Sequence, residues 1–244
     1  MEIHAHPHTE KKKWTHYLWE FLMLFLAVFC GFLAENQREH MIEHQREKQY
    51  MSSLLDDLKQ DTVAIKKSIN RSETNLLYTD SVLLFLHNKP LENEIPIHFA
   101  YLDSQALIRL QIIFTDRTAS QLKNSGGMRI IRNQKVVDLI LRYWNQQEIT
   151  KTTLERYLIY RNHGREFGEQ LYKSSEFYLY NRNLLKDAPE KIGVIKKDPA
   201  LWAEFANIIA HSGVVLPAHI GNLKAQLELA DELDKMIKKE YHLK

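Results

Sequence analysis

The sequence has little of the residues that interrupt helices or cross-link chains. Among its 244 residues there are only eight glycines, six prolines and one cysteine, Cys30. A single cysteine cannot form a disulfide within the chain, so a fold held together by disulfides is excluded. Because glycine and proline are the strongest breakers of regular structure, their scarcity favours long uninterrupted helices.

The chain also lacks an excess of charge of either sign. Lysine and arginine number 33 against 31 aspartates and glutamates, which gives a formal net charge of +2 at pH 7. Proteins that wrap nucleic acid present a strongly basic surface, so we expect no nucleic-acid partner. The two signs are interleaved along the chain, as is typical of solvated helix faces.

One apolar run lies near the N-terminus, in the stretch THYLWEFLMLFLAVFCGFLAENQREH. Between Tyr17 and Ala34 the only charged residue is Glu20. About 18 helical residues span about 27 Å, close to the ~30 Å thickness of the hydrocarbon core of a bilayer. We therefore predict a transmembrane anchor over residues 14–35, preceded by a polar tail rich in histidine and lysine over residues 1–13.

The flanks of this run predict how it lies in the membrane. A cluster of three lysines precedes it, and Trp14, Tyr17 and Trp19 form an interfacial aromatic belt. The lysines favour a cytoplasmic N-terminus in the inner membrane, with the large domain extracytoplasmic. A cleaved signal peptide fits less well, because the bulky Phe32 occupies a position where the cleavage site needs a small residue. A soluble core helix is the remaining alternative.

Small residues mark one face of the anchor. On a helix, Glu20 shares its face with Ala27, Gly31 and Ala34, and Ala27 and Gly31 form a small-xxx-small pair. This face predicts close helix–helix contact in the membrane, with His16 as a partner for Glu20 four residues later. Three readings of Glu20 follow. It lies in a helix interface, lines a channel formed by several copies, or reaches into the lipid headgroups.

A heptad pattern follows the anchor. No glycine or proline occurs between Phe32 and Lys89, which predicts a long stalk or bundle helix over residues 36–89. The heptad positions form a seam along one side of this helix. We expect the seam to pack either against a neighbouring chain or against later helices of the same chain. Its apolar members are Met51, Leu55, Leu58, Ile65, Ile69, Leu76, Leu83 and Leu86.

We expect the remainder of the chain, residues 90–244, to form a helical bundle that packs on the long helix. We expect helices over about 102–114 and up to Gly126, then one that is capped by Asn133 and continues towards about Asn181. A further helix should begin with Asp198 as its cap and end near Gly213, and a last one should start near Ala218. No stretch alternates like a strand. The fold class is therefore all-α, with the anchor, the heptad helix and an up-and-down bundle.

Two short motifs suggest chemistry, and both are weak. His40, Glu43 and His44 match the H-x-x-E-H string of inverted zinc peptidases, but no third ligand is evident. Arg156 and His163, with six residues between them, have the spacing of the arginine–histidine signature of helical ribonucleases. Such sites are identified by geometry rather than by spacing, so we predict a non-enzymatic protein without a cofactor or a metal.

Two stretches carry a resemblance to a family. YLWEFLMLFLAVFCGFLAENQREH followed by LKNSGGMRIIRNQKVVDLILRYW resembles uncharacterised membrane proteins common in Bacteroidota. The resemblance implies a single-pass inner-membrane protein with a helical domain, and no catalytic residue. We expect a membrane-anchored scaffold, sensor or accessory subunit of an envelope assembly. Its partners would be the lipid bilayer and a second copy or another membrane protein. The alternatives are an ion-coupled component using Glu20 and one of the two enzymes.

Overall fold

A computed structural model describes residues 14–88, 93–184 and 190–243, so the predicted tail over residues 1–13 lies outside the described residues. The predicted all-α class is confirmed. The elements are α1 (Trp14–Asn88), β1 (Glu94–Pro96), α2 (Ile97–Ala106), α3 (Arg117–Asn124), α4 (Gln134–Gly168), α5 (Ser174–Asn181), β2 (Lys191–Gly193) and α6 (Pro199–Tyr241).

The chain divides into two compact units, residues 1–49 and residues 50–244, and α1 contributes to both. The described part of the first unit is a stretch of α1 alone. Every residue from 14 to 41 in it is exposed. The second unit has three apolar clusters, two of them at opposite ends of the bundle and one between them.

The part of α1 in the second unit runs parallel to α4. The Tyr143 hydroxyl donates to Asp61 Oδ2 at 2.7 Å, and further along both helices Tyr157 donates to Asn75 Oδ1 at 3.4 Å. Residue numbers thus rise together on the two helices. This arrangement requires a connection that returns along the bundle before α4 begins.

Helix α6 runs antiparallel to both long helices. Gln226 in its second half donates to the Tyr143 carbonyl, whereas Ile209 in its first half packs beside Gly164 of α4. Against α1, Lys224 forms an ion pair with Glu73 at 2.7 Å. The bundle core therefore consists of two parallel helices and one antiparallel helix.

The returning connection is not helical over residues 107–116, so the predicted helix over 102–114 is wrong. Helix α2 instead begins at Ile97 and ends at Ala106. The backbone of the connection is bonded by side chains of the long helices, which satisfy groups that a helix would have paired internally. These bonds join Asn75 to the Ala106 carbonyl (2.9 Å), Arg161 to the Leu107 carbonyl (2.7 Å), Tyr157 to the Ile108 carbonyl (2.8 Å) and the Thr115 amide to Asp61 (2.7 Å).

Helix α6 is continuous where the sequence predicts two helices. The predicted break near Gly213 does not occur, although Pro217 lies inside the helix. An interior proline costs about 3 kcal/mol, because it removes one backbone hydrogen bond and crowds the preceding turn. Burial of Ile209 before it and Leu216 and Ile220 around it outweighs this local cost.

The predicted helix caps at Asn133 and Asp198 and the turn after α3 are confirmed. Asn133 accepts from the Lys135 amide at 2.9 Å and caps α4, and Asp198 accepts from the Ala200 amide at 2.9 Å and caps α6. After α3 the chain turns at Gly126, whose φ of 68° is readily adopted only by glycine. Two three-residue strands were not predicted. They pair antiparallel, with Ile95 opposite Ile192.

Candidate functional site

A cleft lies between α2, the end of α4 and α5. Its volume is about 370 Å³, within the range of small-molecule sites. All of its lining belongs to the second unit. The lining residues used below are Asp103, Ser104, Leu107, Arg165, Glu169, Tyr172, Ser175 and Tyr178.

Asp103 is the only carboxylate of this lining that is buried, with 5% of its surface exposed. Its Oδ2 accepts a hydrogen bond from the Tyr172 hydroxyl at 2.5 Å. Its Oδ1 is buried and has no hydrogen-bond partner. Because buried polar atoms in proteins are nearly always paired, this oxygen is a conspicuous exception.

Aromatic packing holds Tyr172 in place. Its ring lies 6.0 Å from that of Phe99 and 6.5 Å from that of Trp202, and 6% of the residue is exposed. A short bridge to Val194 fixes its backbone beside β2. The Tyr172 hydroxyl is thus positioned before any ligand binds, and it orients the carboxyl group of Asp103.

Burial shifts the acid–base behaviour of this pair. Loss of hydration raises the pKa of Asp103 to about 6, although the Tyr172 hydrogen bond and the positive charge of Arg165 act in the opposite direction. Burial and the neighbouring Asp103 carboxyl also raise the pKa of Tyr172 well above its ordinary value. Tyr172 is therefore a permanent donor at neutral pH, and Asp103 carries most of its negative charge there.

The exposed side of the cleft carries charges of both signs. Arg165 and Glu169 lie one turn apart on α4, with Arg165 Nε 3.6 Å from Glu169 Oε1. Both side chains are more than half exposed. The lining therefore has two carboxylates against one guanidinium, which makes the cleft net negative when Asp103 is ionised.

Sequence reasoning missed this site. Asp103 lies next to Leu102, where the sequence predicts that a helix begins, so nothing marks it as a buried residue. Tyr172 follows the end of α4 at Gly168, which was predicted to continue towards about Asn181. The one available signal is the glycine itself, since a side chain there would contact Phe205.

The predicted membrane face is present on α1 and fully exposed. Glu20 pairs with His16 at 3.0 Å, as the spacing of the two residues predicts. Ala27 and Ala34 are exposed, and a Cβ added at Gly31 would meet no atom within 4 Å. Among the described residues, nothing packs on Gly31, and the role of this face as a helix interface stays a prediction.

The predicted seam of α1 packs against later helices of the same chain, although some of the buried residues differ from the predicted ones. Met51, Leu58 and Ile65 are buried, as predicted. The buried positions between and after them, such as Leu54, lie one residue earlier than the predicted ones. Four of the predicted members, Ile69, Leu76, Leu83 and Leu86, are half-buried, and Leu55 is buried. Leu55 and Asp57 are buried beside this line. The buried positions that keep the alternating three- and four-residue spacing are Met51, Leu54, Leu58, Asp61, Ile65, Ser68, Ser72, Asn75, Thr79 and Val82.

The two enzyme motifs remain surface features. His40 and His44 are exposed, and they lie 3.8 Å from Glu43 and 3.5 Å from Glu47. Within the described part of the chain, no group of three His, Cys, Asp or Glu residues is placed to hold a metal. Arg156 and His163 are both exposed on α4, about 10 Å apart along the helix axis.

Comparison of the chain with protein families, curated proteins and solved structures found no match. The geometry of the chain therefore carries the functional argument. One helix, α1, is long and apolar enough to cross a membrane, and one cleft combines a buried carboxyl with an open cavity.

Proposed function

We propose that this protein is a non-enzymatic, single-pass membrane protein whose helical bundle is held at the inner membrane as a scaffold or sensor. The single observation that carries the proposal is the most apolar window of α1. This window has a mean hydropathy of 2.0, and none of it is buried within the chain. The resemblance to the single-pass proteins of Bacteroidota points in the same direction.

Exposed apolar side chains surround α1 in this segment rather than following one stripe. A soluble amphipathic helix would bury one face and expose polar residues on the other. Contiguous apolar surface of this extent is unfavourable in water, at roughly 25 cal/mol for each Å². A bilayer removes that cost. The side chains that are at least half exposed include Phe21, Met23, Leu24, Phe25, Val28 and Phe32.

Self-association is the second part of the proposal. Ala27 and Gly31 provide a flat strip on which a second copy of α1 can approach closely, because neither carries a side chain beyond Cβ. In the part of the chain that the structure describes, a Cβ added at Gly31 would meet no atom within 4 Å. The pair of His16 and Glu20 lies on the same side, one turn inside the start of the helix.

Alkaline extraction of membranes from cells that express the full-length protein tests the anchor. We expect the wild type to stay in the membrane pellet. Arginine at both Leu24 and Val28 should release it, because each arginine near the helix centre costs about 3 kcal/mol. Val63→Arg is the matched control, since Val63 is exposed on the same helix but lies outside the segment. Release of the wild type would contradict the anchor.

Cross-linking in native membranes tests self-association. We expect dimers or larger species for the wild type and fewer for Gly31→Leu, because leucine holds the two backbones apart. Gly221→Leu serves as the control, since a Cβ at Gly221 also meets nothing within 4 Å but lies on α6. A strictly monomeric wild type would refute this part of the proposal and leave the anchor standing.

A reporter fused after residue 244 tests the orientation. We expect activity of a reporter that works only outside the cytoplasm, since three lysines precede the apolar run. Activity of a cytoplasmic reporter at the same position would reverse the orientation.

A further inference from the structure

We propose that the surface shared by α1, α4 and the non-helical return over residues 107–116 binds a phosphate monoester, with Arg71, Arg109 and Arg161 as its donors. This inference goes beyond the membrane role, and it stands or falls independently of it. It rests on the way three elements bring these arginines to one level of the bundle, and on the charge that gathers there.

The first step is the level of the arginines along the bundle. The return runs antiparallel to α1, because its start is bonded to Asn75 and its end to Asp61. Arg71 lies one turn before Asn75, about 6 Å along the helix axis. Interpolation between the two bonds places Arg71 level with Arg109 of the return. Both arginines are exposed.

Helix α4 brings Arg161 to the same part of the return. Arg161 Nε donates to the Leu107 carbonyl at 2.7 Å. One turn earlier on α4, the Tyr157 hydroxyl donates to the Ile108 carbonyl at 2.8 Å. Arg109 is the next residue of the return. The guanidinium of Arg161 is therefore fixed by the backbone immediately before Arg109, and it is half-buried.

The charges of these side chains act on one another. Loss of hydration lowers the pKa of Arg161, and the positive charges of Arg165 and Arg109 act in the same direction. Burial raises the pKa of Tyr157, whereas the positive charges of Arg161 and Arg71 oppose this change. Cations from three elements are thus held close together, an arrangement that an anion between them stabilises.

Carboxylates do not neutralise this surface in the part of the chain that the structure describes. There, Arg71, Arg109 and Arg161 take part in no ion pair, whereas Arg165 lies 3.6 Å from Glu169. Arg161 donates to protein oxygens through Nε and Nη1, so its Nη2 is left for a ligand. Three guanidinium groups are therefore available to one anion.

The number of cations favours a phosphate monoester over other anions. A phosphate monoester carries about −1.5 to −2 charges at pH 7 and has three terminal oxygens that accept hydrogen bonds. The planar fork of arginine fits two oxygens of such a group at once. A carboxylate has one charge and two oxygens, and it would leave part of the positive charge uncompensated.

Calorimetric titration of the full-length protein in detergent micelles tests the proposal, with phenyl phosphate as the probe. The matched probe is phenyl sulfate, which has nearly the same shape but a single charge. We expect saturable binding of phenyl phosphate at pH 7.5 and at least fivefold weaker binding of phenyl sulfate. High salt should weaken both, because the arginines are at the surface.

Variants separate this site from a general effect of positive charge. Arg71→Gln and Arg109→Gln should each weaken binding of phenyl phosphate at least fivefold. Both positions are exposed, so the thermal unfolding midpoint should stay within a few degrees of the wild type. Arg156→Gln is the matched control and should leave binding unchanged, since Arg156 is exposed on α4 about 140° around the helix axis from Arg161.

The same titration in lipid nanodiscs distinguishes a soluble ester from a lipid headgroup. Phosphatidic acid presents the same monoester at a membrane surface. If the natural ligand is soluble, phenyl phosphate should bind equally in discs with and without phosphatidic acid, whereas weaker binding in the presence of the lipid would assign the site to the headgroup. Equal binding of the two probes, unchanged binding in both arginine variants, or no saturable binding of phenyl phosphate would overturn the proposal.

Discussion

The two parts of helix α1 reverse the usual relation between polarity and burial. From Trp14 to Met41 every residue is exposed, although most of the side chains up to Ala34 are apolar. From Met51 to Val82 twelve positions are buried, ten of them in heptad spacing, yet half of the twelve are polar. One helix thus exposes its most apolar surface and buries aspartate, asparagine, serine and threonine.

The kind of partner explains this difference. In the second unit, α1 packs against α4 and α6 and also against the non-helical return that follows α2. Where the partner is a helix, it presents apolar side chains, and α1 has apolar residues such as Leu58 and Ile65. The return offers unpaired backbone groups, which Asp61 and Asn75 satisfy. Every residue from Trp14 to Met41 is instead exposed among the described residues, and a bilayer is the environment that suits so apolar a surface.

Removing the Asp61 carboxyl should lower the free energy of unfolding more than any other change considered below. Asp61 accepts from the Thr115 amide at 2.7 Å, the Tyr143 hydroxyl at 2.7 Å and Gln147 at 3.2 Å. Asp61→Ala removes a buried charged acceptor shared by three donors, so we expect the free energy of unfolding to fall by about 4 kcal/mol. Urea denaturation of the full-length protein in detergent, followed by circular dichroism, measures it.

The control for Asp61 lies on the same helix. Asp56 is exposed and forms only an ion pair with Lys59 at 3.5 Å, so Asp56→Ala should change the free energy of unfolding by less than about 0.5 kcal/mol. Equal losses for the two variants would show that the buried carboxyl does not hold the return segment.

The same contrast explains what the sequence could predict. Helix caps at Asn133 and Asp198, the exposed apolar segment and the all-α class depend on local patterns, and the sequence shows them directly. The true seam could not be predicted, because Asp61, Ser68 and Asn75 are buried by a distant part of the chain. The Asp103 cleft depends on three elements that meet only after folding, so no spacing in the sequence indicates it.

Truncating one leucine in each part of α1 compares the two parts directly, and the buried leucine should give the second-largest loss in the free energy of unfolding. Leu58 is 2% exposed in the bundle, whereas Leu24 is 69% exposed in the apolar segment. Leu58→Ala should lower the free energy of unfolding of the bundle by about 3 kcal/mol through lost burial and a cavity. Leu24→Ala should leave it unchanged in the same urea denaturation. A comparable loss at Leu24 would mean that the apolar segment belongs to the folding core.

The buried Asp103 should make stability depend on pH with a definite sign. Its folded pKa of about 6 exceeds the ordinary value of 3.8, so the folded state binds more protons between these values. Stability therefore falls as pH rises from about 4 to 7. Asp103→Asn removes this contribution, and its stability relative to the wild type should rise by roughly 1–3 kcal/mol over that interval.

Urea denaturation at a series of pH values measures the difference between Asp103→Asn and the wild type. His219, whose pKa burial lowers to about 4, contributes a slope of opposite sign, but it is present in both proteins and cancels in the difference. A constant difference from pH 4 to 7 would show that Asp103 is ionised equally in the folded and unfolded states.

The smallest effect should come from an apolar residue that the bundle leaves exposed. Leu77 is 68% exposed, whereas Asn75, two residues before it, is 1% exposed. Leu77→Ser should change the free energy of unfolding by less than about 0.5 kcal/mol, because leucine and serine both face solvent there. A loss above about 1 kcal/mol that grows with protein concentration would instead show that a second molecule covers Leu77. In that case the exposed leucine would follow the same rule as the buried asparagine, with a partner outside the chain deciding which side chain suits the position.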